Sequence, residues 1–423
     1  MIPAHLDLVV EKPAAGGRMI ARHDGQVVLL AAAIPGERVR ARVERVSKGV
    51  IYATTVEVLD PSSDRRPAAE DWLCGGNVYA HVAYPRQLDI KAAVVADAFT
   101  RIARLPLPPP PVTGSPERGY RMRARLHVHR CRIGFYREGT HELCDARGTG
   151  QLLPATLDVL DRLAAALRVD RVQEVTSIEL SENLAGDERA LHLELERPVD
   201  LSRVAEQAGP GVTGLSYTGP FSGIPSIVTG SPTVTDRVPV PGGDGAATMT
   251  LQRNVRAFFQ ANRYLLPGLV ARVLSLVEAG PVVDLYAGVG LFGVALAASG
   301  RAAITAVEGD RIGAQDLKAN AAPYASAMTV VHQPVESFVA TPAASPDTSL
   351  IVDPPRTGMS RKAFDGIARF GASAIVYVSC DVATLARDVR RLVDAGYRLE
   401  HLEAFDLFPN TAHVEAVVKL LKQ

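Results

Sequence analysis

The chain has 423 residues, of which 47% are hydrophobic and 22% charged, values typical of a folded globular protein rather than a disordered one. Its 46 basic and 46 acidic side chains exclude a whole-molecule attraction to nucleic acid or membrane, so any such attraction has to be local. The length predicts two or three domains. No apolar run approaches a membrane span, and the four cysteines are widely and irregularly spaced, so we expect a cytoplasmic protein without a disulfide framework. These cysteines are Cys74, Cys131, Cys144 and Cys380.

Short runs that alternate apolar and polar residues fill positions 6 to about 60 and are separated by glycine-containing turns. This pattern predicts a small antiparallel β-barrel, a shape that often holds oligonucleotides. The chain to about 245 is mixed, with a helical stretch from Arg86 to Ala103 and a polyproline-like segment at 106–111. We predict a barrel over 1–62, a central α+β domain over 63–245 and a third domain over 246–423.

Helices alternate with short β-branched runs in this third domain, which predicts an α/β fold with a parallel, Rossmann-like sheet. The run VVDLYAGVGLFGVALA (282–297) reads as a strand, a glycine turn and a helix, with Gly288 and Gly290 letting the backbone approach a ligand. The next strand ends in Glu308, which can accept both hydroxyl groups of a ribose. S-adenosylmethionine and a nicotinamide dinucleotide share that ribose, and Gly293 completes G-x-G-x-x-G, so both cofactors stay open here, as does a purely structural turn.

Two further strands end in groups that can do chemistry. SLIVDPPRTG places Asp353 at the carboxyl edge of the sheet, and VYVSC places Cys380 on the same edge, one strand further on. Ligands of open α/β sheets bind at this edge. The plain alternatives are a rigid loop with an incidental acid and a buried cysteine that acts as a small hydrophobic residue.

A basic segment, RGYRMRARLHVHRCRIGFYR, runs from Arg118 to Arg137 and suits the phosphates of a nucleic acid. Strand alternation places five of its side chains on one face, namely Arg121, Arg123, Arg125, His127 and His129. The interleaved Tyr120, Phe135 and Tyr136 are predicted to stack on unpaired bases. The alternative is a solvated basic strand paired to acidic neighbours.

Several motifs occur in an order that resembles the RNA 5-methyluridine (uracil-C5) methyltransferase family. They are FFQAN (258–262), DLYAGVGLF (284–292), AVEGD (306–310), DPPRTG (353–358), YVSCDVATLARD (377–388) and FPNTAHVEAV (408–417). Residues 6–60 resemble the TRAM domain, an oligonucleotide-binding-like barrel. The resemblance therefore implies a class I S-adenosylmethionine-dependent methyltransferase domain preceded by a TRAM-like barrel and a central RNA-binding domain.

The family's chemistry implies a role for each matching residue. Cys380 would add to C6 of uracil, which activates C5 toward the methyl group, and Glu415 would remove the C5 proton so that the thiolate can leave. Asp353 would hold the uracil edge beside the cofactor. The remaining matches would bind S-adenosylmethionine, and they are Gln260, Tyr286, Glu308 and the turn at Gly288 and Gly290.

The substrate implied is a specific uridine of ribosomal or transfer RNA that is unpaired or extruded, because a helix hides C5 and C6. Arg121, Arg123 and Arg125 would contact this RNA. We expect neither a membrane nor an obligate protein partner. Which RNA is modified does not follow from the residues.

The sequence departs from the family pattern at three places. Many relatives hold an iron–sulfur cluster on C-x5-C-G-G-C, but here DWLCGGN keeps only Cys74, so we expect no cluster. Asp381 follows Cys380 where Asn is common, and we expect its carboxylate to raise the pKa of the thiol. Leu291 stands where relatives often have Asn near the cofactor. Two other function classes remain open: a nicotinamide-dependent oxidoreductase and an RNA-binding protein with a vestigial methyltransferase domain.

Overall fold

The computed structural model describes residues 3–67, 71–220, 223–242, 245–341 and 347–423. Its first unit is a closed five-stranded barrel in the order β1-β2-β3-β5-β4. Most neighbours are antiparallel, as predicted, but β3 and β5 pair in parallel to complete the barrel. Alternate residues of β1 point inward, among them Leu6, Leu8 and Val10, because successive side chains of a strand face opposite sides. The strands are β1 (His5–Pro13), β2 (Met19–His23), β3 (Gln26–Ala31), β4 (Arg38–Ser47) and β5 (Val50–Asp60).

A helix and a short strand after the barrel pack onto the third unit of the chain. Helix α1 (Tyr84–Ala98) continues into a π-helical turn over Phe99–Ala103, which agrees with the predicted helical stretch, and β6 (Val112–Thr113) follows the proline segment. Val95 and Phe99 share a core with Leu385 and Val389. This segment therefore belongs structurally with the sheet of the third unit, although the predicted division places it in the central domain.

The central unit is a seven-stranded sheet in the order β13-β12-β11-β10-β7-β8-β9. Helices α2 and α3 share one core with this sheet. Its elements are β7 (Arg123–His129), β8 (Arg132–Tyr136), β9 (Leu143–Cys144), α2 (Pro154–Val169), β10 (Val175–Glu182), β11 (Arg189–Leu195), α3 (Ser202–Ala208), β12 (Gly214–Thr218) and β13 (Ser226–Gly230).

A long hairpin links the central unit to the third. Its strands β14 (Thr233–Gly242) and β15 (Gly245–Asn254) pair antiparallel along their whole length. Val238, Met249 and Leu251 lie in the same core as helices of the third unit. The predicted domain boundary at residue 245 falls inside this hairpin. The central and third units are therefore joined by the whole hairpin and not at a single residue.

The third unit is an eight-stranded sheet in the order β18-β17-β16-β19-β20-β22-β21-β6. Strands β16 to β20 are parallel, as the alternation of helices and apolar runs predicted, and β22 is antiparallel to β20. The order reverses between β16 and β19, which is where doubly wound sheets bind ligands. Its elements are α4 (Leu266–Leu276), β16 (Val282–Leu285), α5 (Leu291–Ala298), β17 (Ile304–Glu308), α6 (Arg311–Ala321), β18 (Met328–His332), α7 (Val335–Phe338), β19 (Ser349–Val352), α8 (Arg361–Phe370), β20 (Ala374–Ser379), α9 (Val382–Asp394), β21 (Tyr397–Phe405) and β22 (Glu415–Lys422).

The cysteine spacing predicted no disulfide framework, and it did not indicate the one disulfide that the structure contains. Cys74 and Cys144 form a disulfide that joins the segment after the barrel to β9, across a sequence separation of 70 residues. Sequence spacing missed this pair because the fold, and not the chain, brings the two residues together. Cys131 and Cys380 are free. In the described ranges, no helix is both long and apolar enough to cross a membrane.

Candidate active site

The predicted nucleophile and base lie side by side at one end of the third sheet. Cys380 directly follows β20, and Glu415 is the first residue of β22. Ser379 pairs with Ala416 in the antiparallel ladder, and continuing that register by one residue sets Cys380 opposite Glu415. Asp353 follows β19, the parallel neighbour of β20. The structure thus brings together three predicted residues from chain segments far apart in sequence.

Burial and nearby charges control the thiol of Cys380. Burial raises its pKa to about 11, and the negative charge of Glu415 acts in the same direction. Arg356 opposes both through its positive charge and a hydrogen bond to the sulfur, while Asp353 adds a smaller raising effect. Cys380 is therefore a thiol at neutral pH in the free protein, and Arg356 is the group that favours the thiolate.

The two carboxyl groups beside the thiol are also shifted toward their neutral forms. Burial raises the pKa of Asp353 to about 7, although the Gln260 amide, which donates a hydrogen bond to Asp353 Oδ2 at 3.4 Å, lowers it. Burial raises the pKa of Glu415 well above its usual range, with a further contribution from Asp353 and an opposing one from Arg356. A carboxylate with such a raised pKa binds a proton strongly, as a general base requires.

Asp381 has a different role from the one predicted. It is the N-cap of α9, and its Oδ1 accepts a hydrogen bond from the backbone N–H of Thr384 at 2.8 Å. The pKa of Cys380 is raised, as expected, but burial, Glu415 and Asp353 raise it rather than Asp381. The expectation was wrong in its cause because the helix N-terminus captures the Asp381 carboxylate.

The glycine turn after β16 forms a ligand cradle. Gly288 and Gly290 have φ angles of +57° and +99°, in the left-handed region that glycine tolerates. The Gly288 N–H donates to Glu308 Oε2 at 2.7 Å, which ties the turn to the end of β17. A Cβ added at Gly288 would meet no protein atom within 4 Å, so open space lies against its backbone. The other oxygen of the Glu308 carboxylate, Oε1, accepts a hydrogen bond from the Asp310 N–H at 2.6 Å.

Three more residues lie in or beside the glycine turn. Tyr286 has a φ of 60°, which is uncommon for a tyrosine and turns the chain into the glycine loop. Asp284, which sequence reasoning did not single out, is buried and accepts a hydrogen bond from Gly293 N–H at 2.8 Å. Leu291 packs in the hydrophobic core, so its side chain offers no polar group at the position where relatives often have Asn.

The basic strand faces the same region. Arg121 lies just before β7, and its Nη1 donates to Gln151 Oε1 at 2.7 Å. Its guanidinium lies 5.4 Å from the ring centroid of Phe135 and 5.8 Å from that of Phe408. The positive charge of Arg356 acts on Arg121 and helps to lower its pKa, after the larger effect of burial. Arg121 therefore connects the central unit with the catalytic end of the third sheet.

The rest of that face agrees only partly with the prediction. Arg123 and Arg125 point to the same side as His127 and His129, and both arginines lie near Glu179, at 3.6 Å and 3.7 Å. The alternative given above, a basic strand paired to acidic neighbours, is therefore present for these two arginines. Tyr136 stacks on His127 with ring centroids 3.6 Å apart.

The prediction that aromatic side chains of the basic segment stack on RNA bases is wrong for two of the three residues. Tyr120 is fully buried and its hydroxyl contacts Gln151 and the carbonyl of Pro409, while Phe135 packs in the core of the central unit. Neither ring is free to take a base. An alternating strand pattern is the same whether its aromatic side chains face RNA or lie in a core, so the pattern could not distinguish these two arrangements.

Two residues that sequence reasoning left without a role belong to the site. Arg356 follows the Asp-Pro-Pro motif, and its position three residues beyond Asp353 was a usable signal. Gln151 gave no signal, since only the fold places its side chain between Arg121, Tyr120 and the carbonyl of Gly75.

In the part of the chain that the structure describes, no group of three His, Cys, Asp or Glu residues could hold a metal ion. The expectation of no iron–sulfur cluster stays a prediction, although Cys144 beside Cys74 means that two cysteines remain there instead of one.

Known RNA methyltransferases are similar to this chain along most of its length. The family described as tRNA (Uracil-5-)-methyltransferase matches residues 346–423, and the TRAM domain matches residues 5–56. An uncharacterized RNA methyltransferase of Streptomyces coelicolor is 31% identical over 99% of this chain and 93% of its own length. The 23S rRNA (uracil(1939)-C(5))-methyltransferase RlmD of Pseudomonas putida is 30% identical over 97% of this chain and 92% of its own length.

A solved structure has the same fold. The tRNA (uracil-54, C5)-methyltransferase of Pyrococcus abyssi, solved with S-adenosyl-L-homocysteine, aligns with a TM-score of 0.78 at 23% sequence identity and covers 98% of this chain and 99% of that one. At this identity the likeness concerns the fold, which includes the barrel, the central unit and the α/β sheet.

Proposed function

The chain belongs to the RNA uracil-C5 methyltransferase family, and from that premise we propose that it methylates C5 of a specific uridine in ribosomal or transfer RNA through a covalent bond between Cys380 and C6. The observation that carries the proposal is the placement of Cys380 opposite Glu415, with Asp353 on the neighbouring strand end and the cradle at the same edge. A nicotinamide-dependent oxidoreductase would account for the glycine turn but not for the ordered motifs that follow it.

S-adenosylmethionine supplies a methyl group on a positively charged sulfur. C5 of uracil is too weak a nucleophile to take it directly, so the Cys380 thiol first loses its proton to solvent and the thiolate adds to C6. The electron pair of the C5–C6 double bond then becomes that of an enolate, which makes C5 nucleophilic. Arg356, beside the thiol, supports this step because its charge favours the thiolate. C5 can then accept the methyl group.

The second half of the reaction needs a base. C5 now carries both its hydrogen and the methyl group, and removal of that proton restores the C5–C6 double bond as the Cys380 sulfur leaves. Glu415 faces the sulfur and has a strongly raised pKa, both of which suit this proton transfer. Asp353, partly protonated near neutral pH, can donate a hydrogen bond to a carbonyl oxygen of the ring.

Trapping the covalent complex tests the proposal. Glu415→Gln should allow bond formation and methyl transfer but block release of the sulfur, so a protein–RNA adduct should accumulate on a denaturing gel with unmodified 23S rRNA or tRNA transcripts and S-adenosylmethionine. Cys380→Ser should give neither adduct nor 5-methyluridine, whereas Cys131→Ser, which changes the other free cysteine, should leave methylation intact.

The outcomes separate the remaining function classes. Methylation by Cys380→Ser at the wild-type rate would disprove the covalent route. Binding of RNA without any 5-methyluridine by the wild type would favour a vestigial methyltransferase domain. Thermal stabilisation by NAD but not by S-adenosylmethionine would favour the oxidoreductase.

A further inference from the structure

Arg356, the cation beside the thiol, lies on an exposed turn after β19. Pro355, Arg356 and Thr357 are all exposed, and within the described residues the Arg356 guanidinium forms no ion pair with a carboxylate. The Gly358 N–H donates to the carbonyl of Pro355 at 2.7 Å, which closes the turn. Because a long side chain on an exposed turn has many conformations, the contact of this arginine with Cys380 depends on what holds the turn.

Two side chains of α9 hold the backbone of this turn. The Thr384 hydroxyl donates to the carbonyl of Arg356 at 3.2 Å and shares its proton with the carbonyl of Asp381 at 3.1 Å. The Arg387 guanidinium donates to the carbonyl of Thr357 at 3.2 Å. Two successive carbonyls of the turn therefore face α9.

Asp388 of the same helix holds the far side of the turn. Its side chain is fully buried, and Oδ2 accepts hydrogen bonds of 3.0 Å from the Met359 N–H and from the Tyr377 hydroxyl, while Oδ1 accepts one of 2.9 Å from Arg387 Nε. A Cβ added at Gly358 would lie 2.7 Å from Asp388 Oδ2, so glycine is needed for this close approach. Asp388 thus joins the turn to β20 and α9.

The helix that holds the turn also begins beside the nucleophile. Cys380 directly precedes Asp381, the N-cap of α9. Thr384 and Asp388 follow Cys380 by about one and two helical turns, and a helix moves as a rigid rod over such a length. One element therefore carries the thiol at its start and holds the backbone of Arg356 with its next two turns.

We propose that α9 sets the distance between the Arg356 guanidinium and the Cys380 sulfur, with Thr384, Arg387 and Asp388 as positioning residues for formation of the thiolate. The inference rests on the proposed function only in taking Cys380 as the nucleophile. The attraction between a cation and a thiolate falls with distance, so a small shift of the turn weakens it. None of the three positioning residues belongs to the charged groups that act on the thiol, so their effect passes through Arg356.

Alkylation of Cys380 by iodoacetamide, followed by mass spectrometry of the full-length protein, tests the proposal. Thr384→Val and Asp388→Asn should each lower the rate about threefold at neutral pH, because a shift of about half a pKa unit changes the thiolate fraction by that factor. Thr384→Ser keeps the hydroxyl and should recover the wild-type rate. Arg390→Gln, at a residue of α9 that pairs with Asp394 instead, is the matched control and should change nothing.

Double variants separate positioning from a general loosening of the fold. In the Arg356→Gln background neither Thr384→Val nor Asp388→Asn should lower the rate further, because no guanidinium is left to position. An equal loss in that background would overturn the proposal, and so would a wild-type rate in the folded single variants. Thermal melting identifies a variant that does not fold. Should Asp388→Asn unfold, Thr384→Val decides alone, since Thr384 is only half-buried.

Methyl transfer to RNA is measured separately on the same preparations. A wild type that makes no 5-methyluridine but shows the dependence of Cys380 on α9 would refute the proposed function and leave this inference standing. An active enzyme whose Cys380 reacts independently of Thr384 and Asp388 would refute this inference alone.

Discussion

Cys380 and Glu415 lie opposite each other where β20 ends and β22 begins, in a register fixed by the pairing of Ser379 with Ala416. Burial raises the pKa of both side chains, the negative charge of Glu415 raises the pKa of Cys380 further, and the negative charge of Asp353 does the same for Glu415. Cys380 is therefore a thiol in the free enzyme, and Arg356 is the cation that favours its thiolate.

Replacement of Arg356 should slow alkylation of Cys380. A thiol with a pKa of about 11 gives a thiolate fraction that rises about tenfold per pH unit across the neutral and mildly alkaline range. Arg356→Gln removes the favourable charge, raises the pKa further and should lower the iodoacetamide rate several-fold at any pH below 11, while Glu415→Gln should increase it. Mass spectrometry of the Cys380 peptide measures the rate. Arg361→Gln, at a side chain that is 91% exposed, is the matched control and should change nothing.

The two glycines of the cradle should respond differently to alanine. At Gly290 a Cβ would lie 2.7 Å from Val294 Cγ2 and 2.8 Å from Leu317 Cδ1, so Gly290→Ala should destabilise the fold. At Gly288 it would enter open space, so Gly288→Ala should fold with modest strain but bind S-adenosylhomocysteine at least about tenfold more weakly. Calorimetric titration and thermal melting distinguish the two effects. Unchanged affinity in Gly288→Ala would contradict the position of the cofactor.

Reduction of the disulfide should destabilise the protein. A cross-link between Cys74 and Cys144 closes a loop with a sequence separation of 70, for which loop entropy predicts a contribution of about 4 kcal/mol. Urea unfolding with and without a phosphine reductant measures it. Cys144→Ser should be destabilised by a similar amount and should no longer respond to the reductant. A reductant effect of the same size in this variant would show that the destabilisation does not come from this disulfide.

A buried ion pair holds α1 to the strand that leads into the active site. Lys91 and Asp406 are 1% and 0% exposed, and the Lys91 ammonium also donates to the carbonyl of Phe408 at 3.1 Å. Lys91→Met leaves the Asp406 charge unpaired and should reduce the free energy of unfolding by about 3–5 kcal/mol. The double variant Lys91→Met/Asp406→Leu should recover much of that loss. An additive double variant would show that the pair is not coupled.

Arg121 should contribute to RNA binding more than its neighbour on the strand. Its guanidinium has no carboxylate partner in the described residues, whereas Arg125 lies near Glu179 at 3.7 Å. Arg121→Ala should weaken RNA binding about tenfold and reduce the salt dependence by about one counterion, with a smaller effect for Arg125→Ala. Binding titrations over a range of salt concentrations check both values. Equal effects of the two variants would show that the basic face as a whole binds the RNA, with no larger contribution from Arg121.

Local patterns predicted most of the third unit correctly. Continuous β-branched runs predicted its parallel strands, since such strands are covered on both faces, and parallel strands all end at one edge. The same rule predicts that Asp353 and Cys380 lie on neighbouring strand ends, and the pairing of β19 with β20 confirms their adjacency. The sequence also predicted the glycine turn, where Gly288 and Gly290 have left-handed φ angles.

Patterns failed where the answer depended on distant parts of the chain. Alternation in a strand gives two faces but does not say which is covered, so Tyr120 and Phe135 were predicted to face RNA and instead lie in cores. The pairing of Cys74 with Cys144 and the capping role of Asp381 likewise depend on neighbours that spacing does not reveal.

The sequence by itself determined the kinds of chemistry available to this protein: a thiol and a carboxyl group at two neighbouring strand ends, a glycine turn at a third, and a second carboxyl group within an apolar run. Only the tertiary structure decided their ionisation, since the pKa values of Cys380, Asp353 and Glu415 are set by burial and by neighbouring groups such as Arg356 and Gln260. The reason is that strand periodicity is a local property of the backbone, whereas desolvation and charge act through space between residues far apart in the chain.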